Sequence, residues 1–205
     1  MQLSPLKAAR FSEFLSYFKV MKPTPLIITA MAVFIFGTAI NAHDAAADMA
    51  RCDQLAALEA DPMATSDPVD FDDLQADAVI KTCLQALNDL AVQDQINQDP
   101  MVKGRLLLQL GRGYLAAGEI DNALEHFNKS ADMRYPAGVF ALGVFHLVGE
   151  GGEQDLTAAH AALNQAFDMG VVWSARALAM LHLQEDSEFY APEKAAFYQQ
   201  LWADQ

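Results

Sequence analysis

One glycine-rich stretch, GVFHLVGEGGEQD at residues 143–155, has the residue types of a ligand-binding loop. Backbone N–H groups of such loops bind phosphate when a Lys follows the glycines, or when the loop joins a strand to a helix. Here no Lys follows and no strand is predicted before the loop, and three acids, Glu150, Glu153 and Asp155, would repel a phosphate group. The stretch therefore predicts a turn between two helices, with Asp155 capping the second.

Histidines and acids are the other candidates for site chemistry. The histidines beyond the N-terminal region are His126, His146, His160 and His182. None forms the i, i+4 pair of an H-E-x-x-H zinc helix, and the acidic run at 67–77 lacks the glycine and terminal Glu of a calcium loop. Asp72 or Asp73 is instead predicted to cap a helix. These patterns, and the absence of G-x-S-x-G, predict no catalytic site, metal site or cofactor.

The chain has two cysteines, Cys52 and Cys83, and they lie far apart in sequence. Because neither belongs to a C-x-x-C pair, a redox motif or a zinc pair is not predicted. In an exported domain two such cysteines are expected to form a disulfide. We predict a Cys52–Cys83 bridge that contributes about 3 to 4 kcal/mol to stability.

The N-terminal region, residues 1–47, has the pattern of a targeting segment. Four basic residues precede an uncharged apolar run of 15 residues, 26–40, and small residues follow it. A membrane-spanning helix needs about 20 apolar residues, so the pattern favours a secretory signal cleaved at Ala45-Ala46-Ala47 or after Ala42. An uncleaved signal anchor is the alternative, and Met21 is an alternative start. In both cases the domain that follows is predicted to lie outside the cytoplasm, in the periplasm.

Charge narrows the classes of partner. Of the 13 basic residues four lie in residues 1–47, and of the 27 acidic residues two lie there, so the remainder carries 9 basic and 25 acidic residues. Proteins bind nucleic acids and anionic membrane surfaces through Lys and Arg. Because acidic residues outnumber basic ones here, nucleic acid is excluded as a partner. Hydrophobic residues make up 53% of the chain, enough for a buried core.

The elements that must position these residues are predicted to be helices. Apolar spacing predicts one helix over 48–60 and a second over 72–92, within an N-terminal segment that covers 48–100. Between them, the loop 61–70 contains Asp-Pro twice. Over 101–205 one pattern recurs as LGRGY at 110–114, LGVFH at 142–146 and LAMLH at 178–182. These spacings of 32 and 36 residues predict helical repeats.

Turn residues mark the ends of the predicted repeat helices. Gly118 and Gly170 are placed to end helices in the left-handed conformation, and Pro192 to begin the last one. His146 and His182 occupy the position that Tyr114 has in the first repeat. We therefore interpret these histidines as packing residues at the contact between two helices.

The first repeat resembles a tetratricopeptide (TPR) repeat and the second a Sel1-like repeat. The TPR-like residues are Leu107, Leu110, Gly111, Tyr114, Ala123 and Phe127. The Sel1-like residues are Ala137, Leu142, Gly143, Gly149, Gly151, Asp155, Ala159, Ala166 and Gly170, with departures at Gly152 and Ala162. The resemblance implies an all-α solenoid that acts as a non-catalytic protein-interaction module, an adaptor or a regulator of an envelope complex.

In such solenoids the first helix of each repeat lines a concave face. Helical phase assigns to that face Arg105, Leu108, Arg112, Phe140, Val144, Leu147, Trp173, Arg176 and Met180. An apolar floor bordered by arginines suits an extended peptide or a helix with an acidic group or a C-terminal carboxylate. The alternative functions are a membrane-anchored structural subunit of an envelope assembly and a metal-dependent hydrolase.

Overall fold

The structure, a computed structural model, describes residues 45–89, 97 and 99–204. Across these residues the regular structure consists of eight α-helices and a 3₁₀ turn, which confirms the predicted all-α class. The helices are α1 Ala45–Ala56, α2 Ala76–Asn88, α3 Pro100–Ala116, α4 Ile120–Asp132, α5 Pro136–Val148, α6 Leu156–Asp168, α7 Trp173–His182 and α8 Pro192–Ala203. The predicted signal run, 26–40, lies outside the described residues.

Three helical hairpins make up the larger part of the fold. Helices α3 and α4, α5 and α6, and α7 and α8 pack together as pairs, and the first helix of each pair also contacts the first helix of the next. Helices α1 and α2 pack against α3, at one end of the stack. None of the described helices has the length and apolar character needed to cross a membrane.

Glycine in the repeated Leu-Gly sequence allows the two helices of a hairpin to approach closely. A Cβ atom on Gly111 of α3 would lie 2.6 Å from Cε1 of the buried Phe127 on α4. The equivalent atom on Gly143 of α5 would lie 2.9 Å from Cγ of Leu163 on α6. The third hairpin has Ala179 at this position, also buried. The repeated glycine therefore has a packing role within each of the first two hairpins.

The predicted ends of the later helices are confirmed where Gly, Asp or Pro marks them in the sequence. Gly118 and Gly170 have φ of 76° and 89°, and they follow α3 and α6 as predicted. Asp155 accepts a hydrogen bond from the backbone N–H of Ala158 at 2.8 Å and so caps α6. Pro192 is the first residue of α8.

The start of α2 was predicted wrongly. Residues Phe71–Asp73 form a 3₁₀ turn, Leu74 is extended, and α2 begins at Ala76 without a side-chain cap from Asp72 or Asp73. The chain leaves the helical path here because Phe71 and Leu74 pack against two different clusters of the core. The predicted end at residue 92 falls outside the described residues.

The first helix ends earlier than the predicted residue 60, at Ala56. The carbonyl of Ala56 accepts a hydrogen bond from the Arg112 side chain, and the carbonyl of Ala57 accepts bonds from both Arg112 and the Val69 N–H. Both carbonyls would otherwise accept from residues one helical turn further on. Hydrogen bonds from distant residues therefore take the place of the helical hydrogen bonds in the last turn of the predicted helix.

Cys52 of α1 and Cys83 of α2 form the predicted disulfide, with their Cα atoms 5.0 Å apart. Both cysteines are fully buried in a cluster with Val79 of α2 and with Leu106 and Leu110 of α3. A second, larger cluster runs through the three hairpins. The disulfide therefore joins the two N-terminal helices where they pack on α3.

Candidate binding surface

The predicted concave face does not form one open surface. Five of its nine residues are buried, each no more than 3% exposed: Leu108, Arg112, Phe140, Val144 and Leu147. These five side chains belong to the interior, which corrects their assignment as ligand-contacting residues. Helical phase shows which residues share a face of a helix, but it cannot show which other part of the chain covers that face.

The N-terminal part of the chain covers this face over the first hairpin and reaches the start of the second. Leu58 and Ala60, which follow α1, are buried in the same core cluster as Leu108, Phe140 and Val144. Phe71, at the other end of the connection, packs against that cluster as well. We call residues 57–70 the covering segment. It occupies the place that the repeat pattern assigns to an external ligand.

Arg112 holds both ends of the covering segment. Its Nη1 donates hydrogen bonds to the carbonyls of Ala56 and Ala57, both at 2.6 Å, and its Nη2 donates to the carbonyl of Val69 at 2.8 Å. Burial lowers the pKa of Arg112 to about 10, against the opposing effect of the charges on Asp70 and Asp61. The guanidinium therefore stays charged at neutral pH, and backbone carbonyls compensate the buried charge.

Arg105, the other predicted arginine of the first hairpin, is paired within the molecule. Its Nε donates to Oδ1 of Asp53 at 3.0 Å, and Gln109 Nε2 donates to the same oxygen at 2.8 Å. The second oxygen of Asp53 accepts from the Thr65 hydroxyl of the covering segment at 2.7 Å. Arg105 therefore stabilises the contact between α3 and the N-terminal part.

A buried pair, Tyr135 and Asp61, holds the middle of the covering segment. The Tyr135 hydroxyl donates to Oδ2 of Asp61 at 2.6 Å, and the Met63 N–H donates to Oδ1 at 2.9 Å. Burial raises the pKa of the Asp61 carboxyl, although its hydrogen bonds act in the opposite direction. Burial and the neighbouring Asp61 charge raise the pKa of Tyr135. The tyrosine therefore keeps its proton and acts as a structural donor.

The third hairpin keeps its predicted residues at the surface. Trp173, Arg176 and Met180 are partly exposed and lie on one stripe of α7, because they are spaced by three and four residues. Trp202 of α8 joins them: its ring meets that of Trp173 edge to face at 4.9 Å, and the Arg176 guanidinium lies 5.6 Å from its centre. We call these four residues the tryptophan surface.

Trp202 was not among the predicted surface residues. The prediction took residues only from the first helix of each repeat, whereas Trp202 belongs to the second helix of the last one. Antiparallel packing brings the end of α8 beside the start of α7, where Trp173 lies. The signal in the sequence was the aromatic residue itself, near the end of the helix that was predicted to begin at Pro192.

His126, His160 and His182 pack against rings of other elements, whereas the ring of His146 lies against its neighbour Phe145 on α5. His182 is buried, stacks on Tyr198 of α8 with ring centres 5.8 Å apart, and shares a hydrogen bond with the Phe189 carbonyl at 2.7 Å. Tyr114 makes the related contact in the first hairpin, with the ring of His126 at 5.1 Å. Among the described residues, no three His, Cys, Asp or Glu side chains are grouped so that they could hold a metal ion.

The chain matches no protein-family model, no curated protein and no solved structure. Its function is therefore inferred from its own residues. Of the residues predicted for the concave face, Trp173, Arg176 and Met180 are partly exposed and belong to the tryptophan surface. Trp and Arg are also the residue types most enriched where protein interfaces concentrate their binding energy.

Proposed function

We propose that this chain is an exported TPR/Sel1-like repeat protein that binds a segment of a partner protein on its tryptophan surface. In this role it acts as an adaptor or regulator of an envelope complex, without catalysis of its own. The observation that carries the proposal is the partly exposed pair of Trp173 and Trp202 with Arg176 across it. The recurring Leu-Gly contacts between paired helices support the repeat assignment.

The chemistry of the surface favours a particular kind of segment. Two indole rings offer a large apolar area that loses little conformational entropy on binding, and Met180 adds an adaptable apolar contact. Arg176 is partly buried, which shields its guanidinium from water and lowers its pKa. A shielded guanidinium binds a carboxylate more strongly than an exposed one. We therefore expect an apolar peptide or helix that carries an acidic side chain or a C-terminal carboxylate.

The disulfide supports the exported part of the proposal. Disulfides persist in oxidising compartments such as the periplasm and are rare in the cytosol. The Cys52–Cys83 bridge is compatible with such a compartment. The basic and apolar pattern of residues 1–40 agrees with export as well.

The proposal is tested with a photo-crosslinking amino acid at Met180, and with the same amino acid at Met63 as the matched control. Met63 is an exposed methionine of the covering segment, remote in sequence from the tryptophan surface. We expect a defined crosslinked partner from Met180 and none from Met63. Arg176→Glu should reduce the crosslink about tenfold or more because it places a carboxylate against the expected carboxylate.

The thermal stability of Arg176→Glu is measured alongside, because its effect should be on binding alone. Arg176 is only partly buried, so the melting temperature should stay close to that of the wild type. The proposal fails if both methionine positions give the same products. It also fails if Arg176→Glu crosslinks as well as the wild type.

A further inference from the structure

A second surface lies at the other end of the last hairpin. Four large hydrophobic side chains are exposed among the described residues, and three of them lie within residues 183–197. They are Leu183, Tyr190 and Phe197, with exposed fractions of 42%, 46% and 59%. Exposed aromatic residues grouped in this way mark interaction sites more often than single scattered ones do.

The backbone beneath these side chains is fixed. The loop between α7 and α8 is closed at its base by a hydrogen bond from the Ala191 N–H to the His182 carbonyl at 3.0 Å. Inside the loop, the ring of Phe189 stacks on His160 of α6 at 4.7 Å. The ring of Phe197 lies 5.4 Å from that of Tyr198, which in turn stacks on the buried His182. The ring of Phe197 is therefore supported by a packed aromatic cluster, and the loop that carries Tyr190 is closed at its base, which lowers the entropy cost of binding.

Acidic residues surround the exposed side chains. Glu185, Asp186, Glu188 and Glu193 are all exposed, and Lys194 is the one basic residue between positions 183 and 197. A partner whose charge is complementary to these negative side chains must be basic. A second copy of the chain would bring the same acids into contact, and an anionic membrane surface would be repelled. Charge complementarity therefore selects a basic segment that also has apolar side chains.

We propose that this loop-end surface, formed by Leu183, Tyr190, Phe197 and the four surrounding acids, binds a basic amphipathic segment of a partner protein. Such a segment places its apolar side chains on the aromatic residues and its Lys or Arg side chains on the acids. Trp173 lies about 15 Å along α7 from this surface. Met180 is only three residues before Leu183, and Phe197 five residues before Trp202, so the two surfaces adjoin on the last hairpin. The proposal does not depend on the tryptophan surface, and the two surfaces select opposite charges.

The test uses a labelled amphipathic Leu/Lys peptide of about 14 residues, and a Leu/Glu peptide of the same pattern as the control ligand. Fluorescence anisotropy should show that the protein binds the Leu/Lys peptide and does not bind the Leu/Glu peptide. Phe197→Ser should weaken it about tenfold through loss of an aromatic contact. Tyr190→Ser, outside any helix, serves as the second variant if Phe197→Ser lowers the melting temperature.

Two sets of acid replacements separate a specific site from general attraction to an acidic protein. The triple variant E185Q/D186N/E188Q should weaken binding about tenfold and reduce its dependence on salt between about 0.01 M and about 0.15 M. The matched control, D67N/D132N/E153Q, removes three exposed acids elsewhere. It should weaken binding far less.

Three results would overturn the proposal. One is an equal loss of binding in the two triple variants, which would show unspecific charge attraction. Another is wild-type affinity in both Phe197→Ser and Tyr190→Ser. The third is a dimer of the wild-type protein in sedimentation that Phe197→Ser dissociates, since the occupant would then be a second copy. Arg176→Glu should leave binding of the Leu/Lys peptide intact, so failure here is distinct from failure at the tryptophan surface.

Discussion

At the scale of single residues, Arg112 shows most clearly how the molecule uses polar groups. Its guanidinium is buried, 2% exposed, and three backbone carbonyls surround it. Nε of the same side chain has no hydrogen-bond partner among the described residues. Burial of the guanidinium charge costs free energy. Arg112 therefore stabilises the fold by donating hydrogen bonds to backbone carbonyls that would otherwise lack a donor. Arg112 therefore acts as a structural bridge between α3 and the covering segment.

We predict that Arg112→Met lowers the free energy of unfolding by about 3 to 5 kcal/mol, since it leaves buried carbonyls without donors. Chemical denaturation followed by circular dichroism measures this change. Arg176→Met is the control, because Arg176 is partly exposed and should lose about 1 kcal/mol or less. Equal losses in the two variants would contradict the bridging role of Arg112.

At the scale of helices, the recurring Leu-Gly sequence acts through close packing within the first two hairpins. Gly111 and Gly143 occupy equivalent places, and both meet the facing helix at distances that leave no room for a methyl group. In an isolated helix the replacement of Gly by Ala is stabilising by about 1 kcal/mol. In these hairpins packing and intrinsic helix propensity change the stability in opposite directions when Gly is replaced by Ala. We expect the packing effect to be the larger one.

Gly111→Ala is accordingly predicted to destabilise the protein by about 1 to 3 kcal/mol, because its methyl group would overlap the fully buried ring of Phe127. Gly152→Ala provides the comparison, as an added Cβ there meets no atom within 4 Å. We expect that variant to change stability by about 0.5 kcal/mol or less. Thermal unfolding of both variants measures the difference. A stabilised Gly111→Ala would show that the hairpin relaxes and that the glycine is dispensable.

Local chemistry made the ends of the later helices predictable, whereas long-range contacts decided the end of α1, the start of α2 and the burial of the predicted concave face. Gly118, Gly170 and Asp155 act through their own backbone or neighbouring N–H groups, and the sequence was sufficient to place them. The start of α2 and the burial of Phe140 depend on distant segments. A loop with two Asp-Pro pairs carries no periodic signal, so nothing in it indicated that it would cover the concave face.

At the scale of the whole molecule, the N-terminal part and the three hairpins depend on each other. The covering segment lies over the first hairpin, and the partly exposed tryptophan residues lie on the third. Helices α1 and α2 reach α3 through a core cluster that is distinct from the cluster that runs through the hairpins. The disulfide lies inside that smaller cluster. The N-terminal part is thus the region whose stability relies most on the covalent link.

Removal of the disulfide should therefore destabilise the N-terminal part more than the hairpins. The bridge spans 31 residues in sequence, and the loss of this constraint on the unfolded chain corresponds to about 4 kcal/mol. In the variant C52A/C83A we expect faster amide hydrogen exchange in α1, the covering segment and α2, with exchange in α5 and α6 close to that of the wild type. Peptide-resolved mass spectrometry measures this pattern, and reduced wild-type protein should reproduce it. Uniform acceleration along the chain would mean instead that the N-terminal helices and the hairpins unfold as one unit.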